Sequence, residues 1–370
     1  MVMQYYLKYM NDIDLKTIAS DGKARLNEVT INGKKLQTPL FMPVATRGAL
    51  KSVPFKYLEH TEVILANTYH LYLRPGLDVI EQFNGLHQFI NWDKVILTDS
   101  GGFQGWSIPN KFRDDGIEFK NIYDGSKFFM DPILSMDIQQ SLNSDVAMIL
   151  DSLIDINKDY DEQLKAIDTT NNWARIAREY HSNSNQSLFG IVQGGKHKEL
   201  REKSASDMLS LDFDGYAIGG LAIGESSEER KEIVNFTVDM LPVNKLRYVM
   251  GLGDIEGMLD LIELGIDIFD CVWPARLARH GKIINKAKFF NLKNSKYKND
   301  LQPLVSNCSC FTCQNYSKAY LRHLLANEPT SAWFYLTLHN IVQTENILTE
   351  VRKSILNSEF DNYKESLLNG

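Results

Sequence analysis

Eight short apolar runs, each closed by a polar, acidic or glycine residue and separated by segments long enough to hold helices, predict an α/β fold, the (β/α)₈ or TIM barrel. A cluster of cysteines after the last run adds a C-terminal metal-binding subdomain. In chain order the runs are 40–44 leading to Thr46, 63–66 to Asn67, 95–98 to Asp99 and 146–150 to Asp151. The second half continues with 188–192 to Gln193, 216–218 to Gly219, 248–250 to Gly251 and 266–269 to Asp270. Such uninterrupted runs suit parallel strands covered on both faces, and parallel neighbours need crossover connections. One crossover helix is legible: after Gly253, residues 254–265 start acidic, place apolar residues at helical spacing and close on Gly265. A doubly wound open sheet competes with the barrel, but it would gather its ligand residues at one switch point, whereas here polar candidates follow nearly every run.

The 370 residues, 44% hydrophobic and 24% charged, suffice for a sizeable core and exclude a disordered chain. The opening residues Met1 to Met10 lack the basic start and long apolar run of a leader. No stretch approaches the roughly 20 apolar residues of a membrane span, so a soluble cytoplasmic protein is expected. Composition changes near residue 280, where a Lys- and Asn-rich segment begins. The expected organisation is a barrel with an N-terminal extension over 1–280, then a zinc-binding subdomain and helices closing the barrel over 281–370.

Three of the four cysteines form Cys308-x-Cys310-x-x-Cys313. In a reducing compartment thiols stay unpaired, which favours metal ligation over disulfides. A closed tetrahedral site, the structural type for zinc, needs a fourth ligand, and His323 and His339 are both available. Cys271 stands apart and is expected to be a buried structural thiol. A net charge of -7 excludes a generally basic nucleic-acid coat. Yet Arg276, Arg279, Lys282, Lys286, Lys288, Lys293, Lys296 and Lys298 occupy a window, 274–299, that holds no Asp or Glu. Such a stripe is either a solvated loop or a phosphate-binding surface; its place after a run that ends in a carboxylate favours the second.

The carboxylates at the run ends carry the chemistry. Asp99 sits in Leu97-Thr-Asp-Ser-Gly-Gly-Phe-Gln104, where adjacent glycines let a ligand approach backbone N–H groups, and Asp270 sits in Ile268-Phe-Asp-Cys-Val-Trp-Pro-Ala-Arg276. Two carboxylates converging on a barrel mouth suit a nucleophile and a proton-transfer group in glycosidic-bond chemistry with an oxocarbenium-like transition state. Each could instead cap a helix at a strand-to-helix loop.

From Pro39 to His339 the sequence resembles the queuine tRNA-ribosyltransferase (tRNA-guanine transglycosylase) family, bacterial type. The resemblance rests on Phe41-Met-Pro-Val-Ala-Thr46, Ala66-Asn-Thr-Tyr-His-Leu71 with Arg74-Pro-Gly76, and Thr98-Asp-Ser-Gly-Gly-Phe-Gln104. Farther on it rests on Gly190-Ile-Val-Gln-Gly-Gly195, Tyr216-Ala-Ile-Gly-Gly-Leu-Ala-Ile-Gly-Glu225, Arg247-Tyr-Val-Met-Gly251, Phe269-Asp-Cys-Val272 and the cysteine cluster. It implies a double displacement at the wobble guanosine of tRNAs with G-U-N anticodons (Asp, Asn, His, Tyr), with guanine or preQ1 (7-aminomethyl-7-deazaguanine) as the small substrate. Asp270 then matches the nucleophile that bonds C1′ of the ribose, and Asp99 the base that deprotonates the incoming purine. Asp151 matches the acceptor for the N1–H and amino edge of guanine, Gln193 with the backbone of Gly220 and Leu221 its O6 partners, and Phe103 and Met250 the sandwich about the ring. Gln104, beside Phe103 in the same motif, joins the substrate-binding set. Such a pocket admits only an unstacked base, flipped from the anticodon loop. Arg276, Arg279 and Lys282 are the implied RNA contacts. The family's fourth metal ligand falls in a His-Asn pair, matched by His339-Asn340 and not by His323-Leu324. One zinc per chain and a homodimer are implied as well.

Ile223 takes the position where queuine-accepting members have glycine and bacterial ones valine, so preQ1 is expected over queuine. The chain departs from the pattern at Ser152-Leu-Ile-Asp155 after Asp151, and at Trp273 and Ala275. Two other classes compete. A non-catalytic zinc-containing tRNA-binding paralogue would not need both Asp99 and Asp270. A metabolic TIM-barrel enzyme would need a phosphate-binding glycine loop after the last two strands, and the sequence offers none.

Overall fold

The computed structural model describes residues 13–108 and 110–369; the opening decapeptide read above lies outside the described residues. Strands β1 (Asp14–Asp21), β2 (Ala24–Ile31) and β3 (Lys34–Thr38) form an antiparallel sheet ahead of the barrel. β4 (Leu40–Ala45), β5 (Val63–Ala66) and β6 (Val95–Thr98) begin the barrel itself. A second antiparallel sheet, β7 (Asn110–Arg113), β8 (Gly116–Lys120) and β9 (Lys127–Met130), is then inserted. β10 (Val146–Met148), β11 (Ser187–Val192), β12 (Gly215–Ile218), β13 (Leu246–Val249) and β14 (Ile268–Cys271) complete the circle, and β14 pairs with β4 to close it. A hairpin of β15 (Lys282–Asn285) and β16 (Lys288–Asn291) follows.

All eight predicted runs are barrel strands, joined in parallel through every neighbouring pair. Their side chains are buried along nearly their whole length, as strands covered by helices outside and by packed side chains inside require. Several boundaries differ: β13 spans Leu246–Val249 and leaves Met250 outside, and β4, β11 and β12 each gain one residue. β10 stops at Met148, short of Leu150, and β14 starts at Ile268 and runs through Asp270, so that this carboxylate is a strand residue and not the first residue beyond one. The predicted crossover helix is Ile255–Ile262, with Asp254 capping it by accepting from the Gly257 N–H (2.7 Å) and Gly265 beyond its end at φ 90°.

The β1–β3 sheet closes the N-terminal end of the barrel through buried ion pairs. Asp267, wholly buried just before β14, accepts two hydrogen bonds from Arg25 (2.8 and 2.5 Å), one from Asn27 (2.8 Å) and one from the Arg247 N–H (2.8 Å). Asp145, just before β10, accepts from Lys34, Asn32, the Ile96 N–H and His87, at 2.8 to 3.0 Å. Burial pushes the Asp145 carboxyl up, but these hydrogen bonds and the His87 charge outweigh it and hold it at about 2.

At the other flank the helix Pro329–Leu356 packs on β1, β2, β4, β15 and the helix Trp273–Arg279. Asn340 on it donates to the carbonyls of Pro274 and Lys282 (both 3.0 Å) and accepts from the Ile284 N–H (2.9 Å), fastening the β15–β16 hairpin to the segment just after β14. Among the described residues, no helix is long and apolar enough to cross a membrane.

Candidate active site

The C-terminal ends of the barrel strands bring the sequence-predicted residues to one mouth: Asn67 after β5, Asp99 after β6, Asp151 after β10, Gln193 after β11, Gly219 after β12, Gly251 after β13 and Asp270 on β14. None of the three aspartates caps the helix that follows it. The N-cap positions of those helices are Gly101, Asp159 and Val272, so the capping alternative fails for Asp99 and Asp270.

Asp99 is gripped from β5's loop. One oxygen accepts from the Thr68 N–H (2.9 Å) and the other from the side-chain amide of Asn67, which also caps the helix Thr68–Leu73 by accepting from the His70 N–H (2.9 Å). Burial raises the Asp99 carboxyl to about 7, the Thr68 N–H draws it down, and the negative charge of Asp270 lifts it again. The two carboxylates thus share one electrostatic field, which disfavours ionising both.

Asp270 is buried, its Oδ1 accepting from the Tyr248 hydroxyl (2.5 Å) and from the Gly251 N–H (2.8 Å). Burial shifts it upward against those two donors. Tyr248, wholly buried on β13, is a site residue that the sequence shows only as the first position of an apolar run; the pairing of β13 with β14 brings it beside Asp270. Cys271, the next residue, is half-buried, not fully buried as expected, and lies against Gly253, where a Cβ would stand 2.4 Å from its own.

A second cluster of site residues lies between β10 and β12. Asp151 is buried and accepts from Gln193 Nε2 (2.6 Å); burial raises its carboxyl to about 6, against that hydrogen bond. The chain packs tightly round this pair. A Cβ on Gly102 would come within 2.2 Å of the Asp151 carboxylate, and Cβ atoms on Gly219 and Gly220 would come within 2.7 and 2.8 Å of the Gln193 amide. Beyond them the loop is held by Glu225, which accepts from the N–H groups of Ala222 (2.7 Å) and Ile223 (3.1 Å) and pairs with Arg230 (3.2 Å). The variant residue Ser152 is absorbed locally: its N–H donates to Thr170 Oγ1 (3.0 Å), and Leu153 is buried.

Phe103 is half exposed, which rules out core packing for it, and Met250 is partly buried next to Gly251. Gln104 turns inward, its Oε1 buried without a partner among the described residues. Arg276 is exposed and Arg279 and Lys282 are partly so, while the rest of the basic stripe lines the hairpin and the turn after it. Trp273, the other variant position, meets Phe289 of β16 edge to face at 6.2 Å, with Lys282 lying over the same ring.

The metal-binding expectation rests on geometry. Cys308, Cys310, Cys313 and His339 are all buried, with ligand atoms within 4.8 Å of one another. His339 Nδ1 stands 3.7, 3.4 and 3.3 Å from the three sulfurs. A tetrahedral zinc ion with ordinary Zn–S and Zn–N bonds sets that edge at about 3.6 Å. The other ring nitrogen reaches the Ile284 carbonyl (3.0 Å), which fixes the tautomer that leaves Nδ1 free to ligate. His323 lies exposed on another helix, so His339 is the fourth residue that could hold the ion.

Comparison with known proteins gives a consistent result. The family model described as queuine tRNA-ribosyltransferase matches residues 20–370. Proteins named queuine tRNA-ribosyltransferase from Dictyoglomus turgidum (42% identical over 362 residues, 96% of this chain and 92% of that one) and Natranaerobius thermophilus (40% over 357, 95% and 96%) are similar along their lengths. So is one from Staphylococcus aureus, 42% identical over 356 residues, 95% of this chain and 94% of its own.

Proposed function

The chain belongs to the queuine tRNA-ribosyltransferase family, a family of transferases, and we propose that it exchanges the wobble guanine of G-U-N tRNAs for preQ1 by double displacement. The observation that carries the reading is the pair Asp99, half-buried, and Asp270, buried, at one barrel mouth and each shifted by its surroundings, Asp99 to about 7.

An oxygen of Asp270, oriented by Tyr248 and the Gly251 N–H, bonds C1′ of the ribose as the C1′–N9 bond breaks and its electron pair leaves with guanine. Asp99, with a pKa near neutrality, then takes the N9 proton of the incoming purine, which displaces Asp270. Asp151 and Gln193 read the purine edge, with the backbone of Gly220 and Leu221 on O6, and Phe103 and Met250 clasp the flipped ring. Arg276, Arg279 and Lys282 meet the anticodon phosphates.

Cys308, Cys310, Cys313 and His339 would hold a zinc ion whose contribution is to fix the hairpin and the long helix; metal analysis should find about one zinc per chain. By its resemblance to the family's bacterial branch the protein would act on tRNA as a homodimer in the cytoplasm, with the catalytic barrel over 1–280 and the metal-binding subdomain over 281–370.

Radiolabelled guanine mixed with unmodified tRNA tests the reading. Label should enter RNA with the native protein and not with Asp270→Ala; exchange unaffected by that change would remove the nucleophile.

A further inference from the structure

Arg201 is a buried cation that the exchange scheme does not use. It lies on the helix Lys198–Ser210, is 1% exposed and faces no carboxylate within ion-pair distance among the described residues. Its guanidinium is spent on carbonyls instead. Nε donates to Gly195 (3.0 Å), and Nη1 donates to Val192 (3.2 Å) and to Gly219 (3.1 Å). Nη2 is buried with no partner among the described residues, and an atom built as Cβ on Gly220 would stand 3.6 Å from it. Burying an arginine this way is costly unless its charge is used nearby.

The use is suggested by the hydrogen-bond accounting of the loop after β12. The Gly219 N–H goes to Val192 O (2.9 Å), and those of Ala222 and Ile223 go to Glu225. Among the described residues the N–H groups of Gly220 and Leu221 have no acceptor. Two adjacent donors are left for a ligand, and the peptide that carries the first has its carbonyl end, Gly219 C=O, on Arg201. A cation on the carbonyl withdraws electron density from the amide and strengthens its N–H as a donor.

We propose that Arg201 is a positioning residue for purine recognition: it locks the ends of β11 and β12 together and polarises the Gly219–Gly220 peptide toward the 6-oxo group of the base. The role rests on the base pocket assigned above. It also helps bond cleavage, since the electron pair leaving C1′ spreads over the purine to O6, where these two donors face it.

Two ratios measured on the full-length, metal-replete chain test this. Guanine against 6-thioguanine differs only in the acceptor at position 6; guanine against hypoxanthine differs only in the amino group facing Asp151. Direct binding titrations of Arg201→Met should lower the first preference about tenfold and leave the second intact. Arg201→Lys, which keeps the charge, should recover part of it. Because each ratio is taken within one protein, a fraction of misfolded variant does not alter it. An unchanged 6-oxo preference, or an equal collapse of both ratios, would overturn the role of Arg201. A native protein with no preference for guanine over hypoxanthine would overturn the pocket itself, and the arginine's role with it.

Discussion

The two ends of the barrel bury the same residue type under opposite rules. At the N-terminal end Asp267 and Asp145 are enclosed by Arg25, Lys34, His87, Asn27 and Asn32, which meet their charge directly. At the C-terminal end Asp99, Asp151 and Asp270 have neutral donors only, Thr68, Asn67, Gln193, Tyr248 and Gly251, and all three are shifted upward. A carboxylate with its charge already satisfied has nothing left for a substrate. One that is buried and underpaired is held for a proton, a sugar carbon or a purine edge.

The largest effects should separate the ends by what is lost. Asp270→Asn should cut exchange by about 10⁴-fold or more while the fold survives. Asp267→Ala should do the reverse: it strands Arg25 and costs about 3–5 kcal/mol in chemical denaturation, with exchange per folded molecule retained. An Asp267 variant that stays fully stable would break the distinction.

Next in size are two pH effects of opposite sign. The Asp145 carboxyl is held at about 2, below its unfolded value near 3.9, so its contribution is complete above pH 4 and is lost as pH falls toward 2. That contribution is about 2 kcal/mol. Asp151 is raised to about 6, so the fold is favoured below pH 4 and loses stability as pH climbs through 6. Asp151→Asn removes that loss. It should stabilise the protein by about 3 kcal/mol at pH 8 and not at all at pH 4, while guanine binding falls. Thermal melts at the two pH values check this, and a variant destabilised at pH 8 would refute the underpaired state.

The sequence disclosed the mouth better than the base. All eight strands were legible because parallel barrel strands are apolar throughout, and the polar residues that stop them are the ones brought together. The β1–β3 sheet was missed because its central strand buries Arg25 and Asn27, polar residues that hide a buried strand from a hydrophobicity reading. The hairpin under the basic stripe was hidden similarly, with buried Ile283 and Ile284 set among lysines. Arg201 escaped for a related reason: between Glu199 and Glu202 it reads as a surface helix charge, and only the three-dimensional arrangement shows its contact with Gly219.

The smallest effect concerns selectivity. Ile223 sits on the loop that Glu225 holds, between Ala222 at φ 59° and Gly224 at φ 139°, so its position is set by backbone hydrogen bonds and not by core packing alone. Its branched side chain is partly buried, packed at the edge of the barrel core next to the base-recognition loop. Ile223→Gly should therefore cost some stability, about 1–3 kcal/mol, and admit a base with a bulky substituent on its 7-aminomethyl group. Each methylene of steric room is worth about 1–3 kcal/mol in such a pocket, so the rate ratio of queuine to preQ1 should rise at least about tenfold. If the native protein already incorporates queuine as fast as preQ1, Ile223 does not set the choice, and the mouth is wider than its residues suggest.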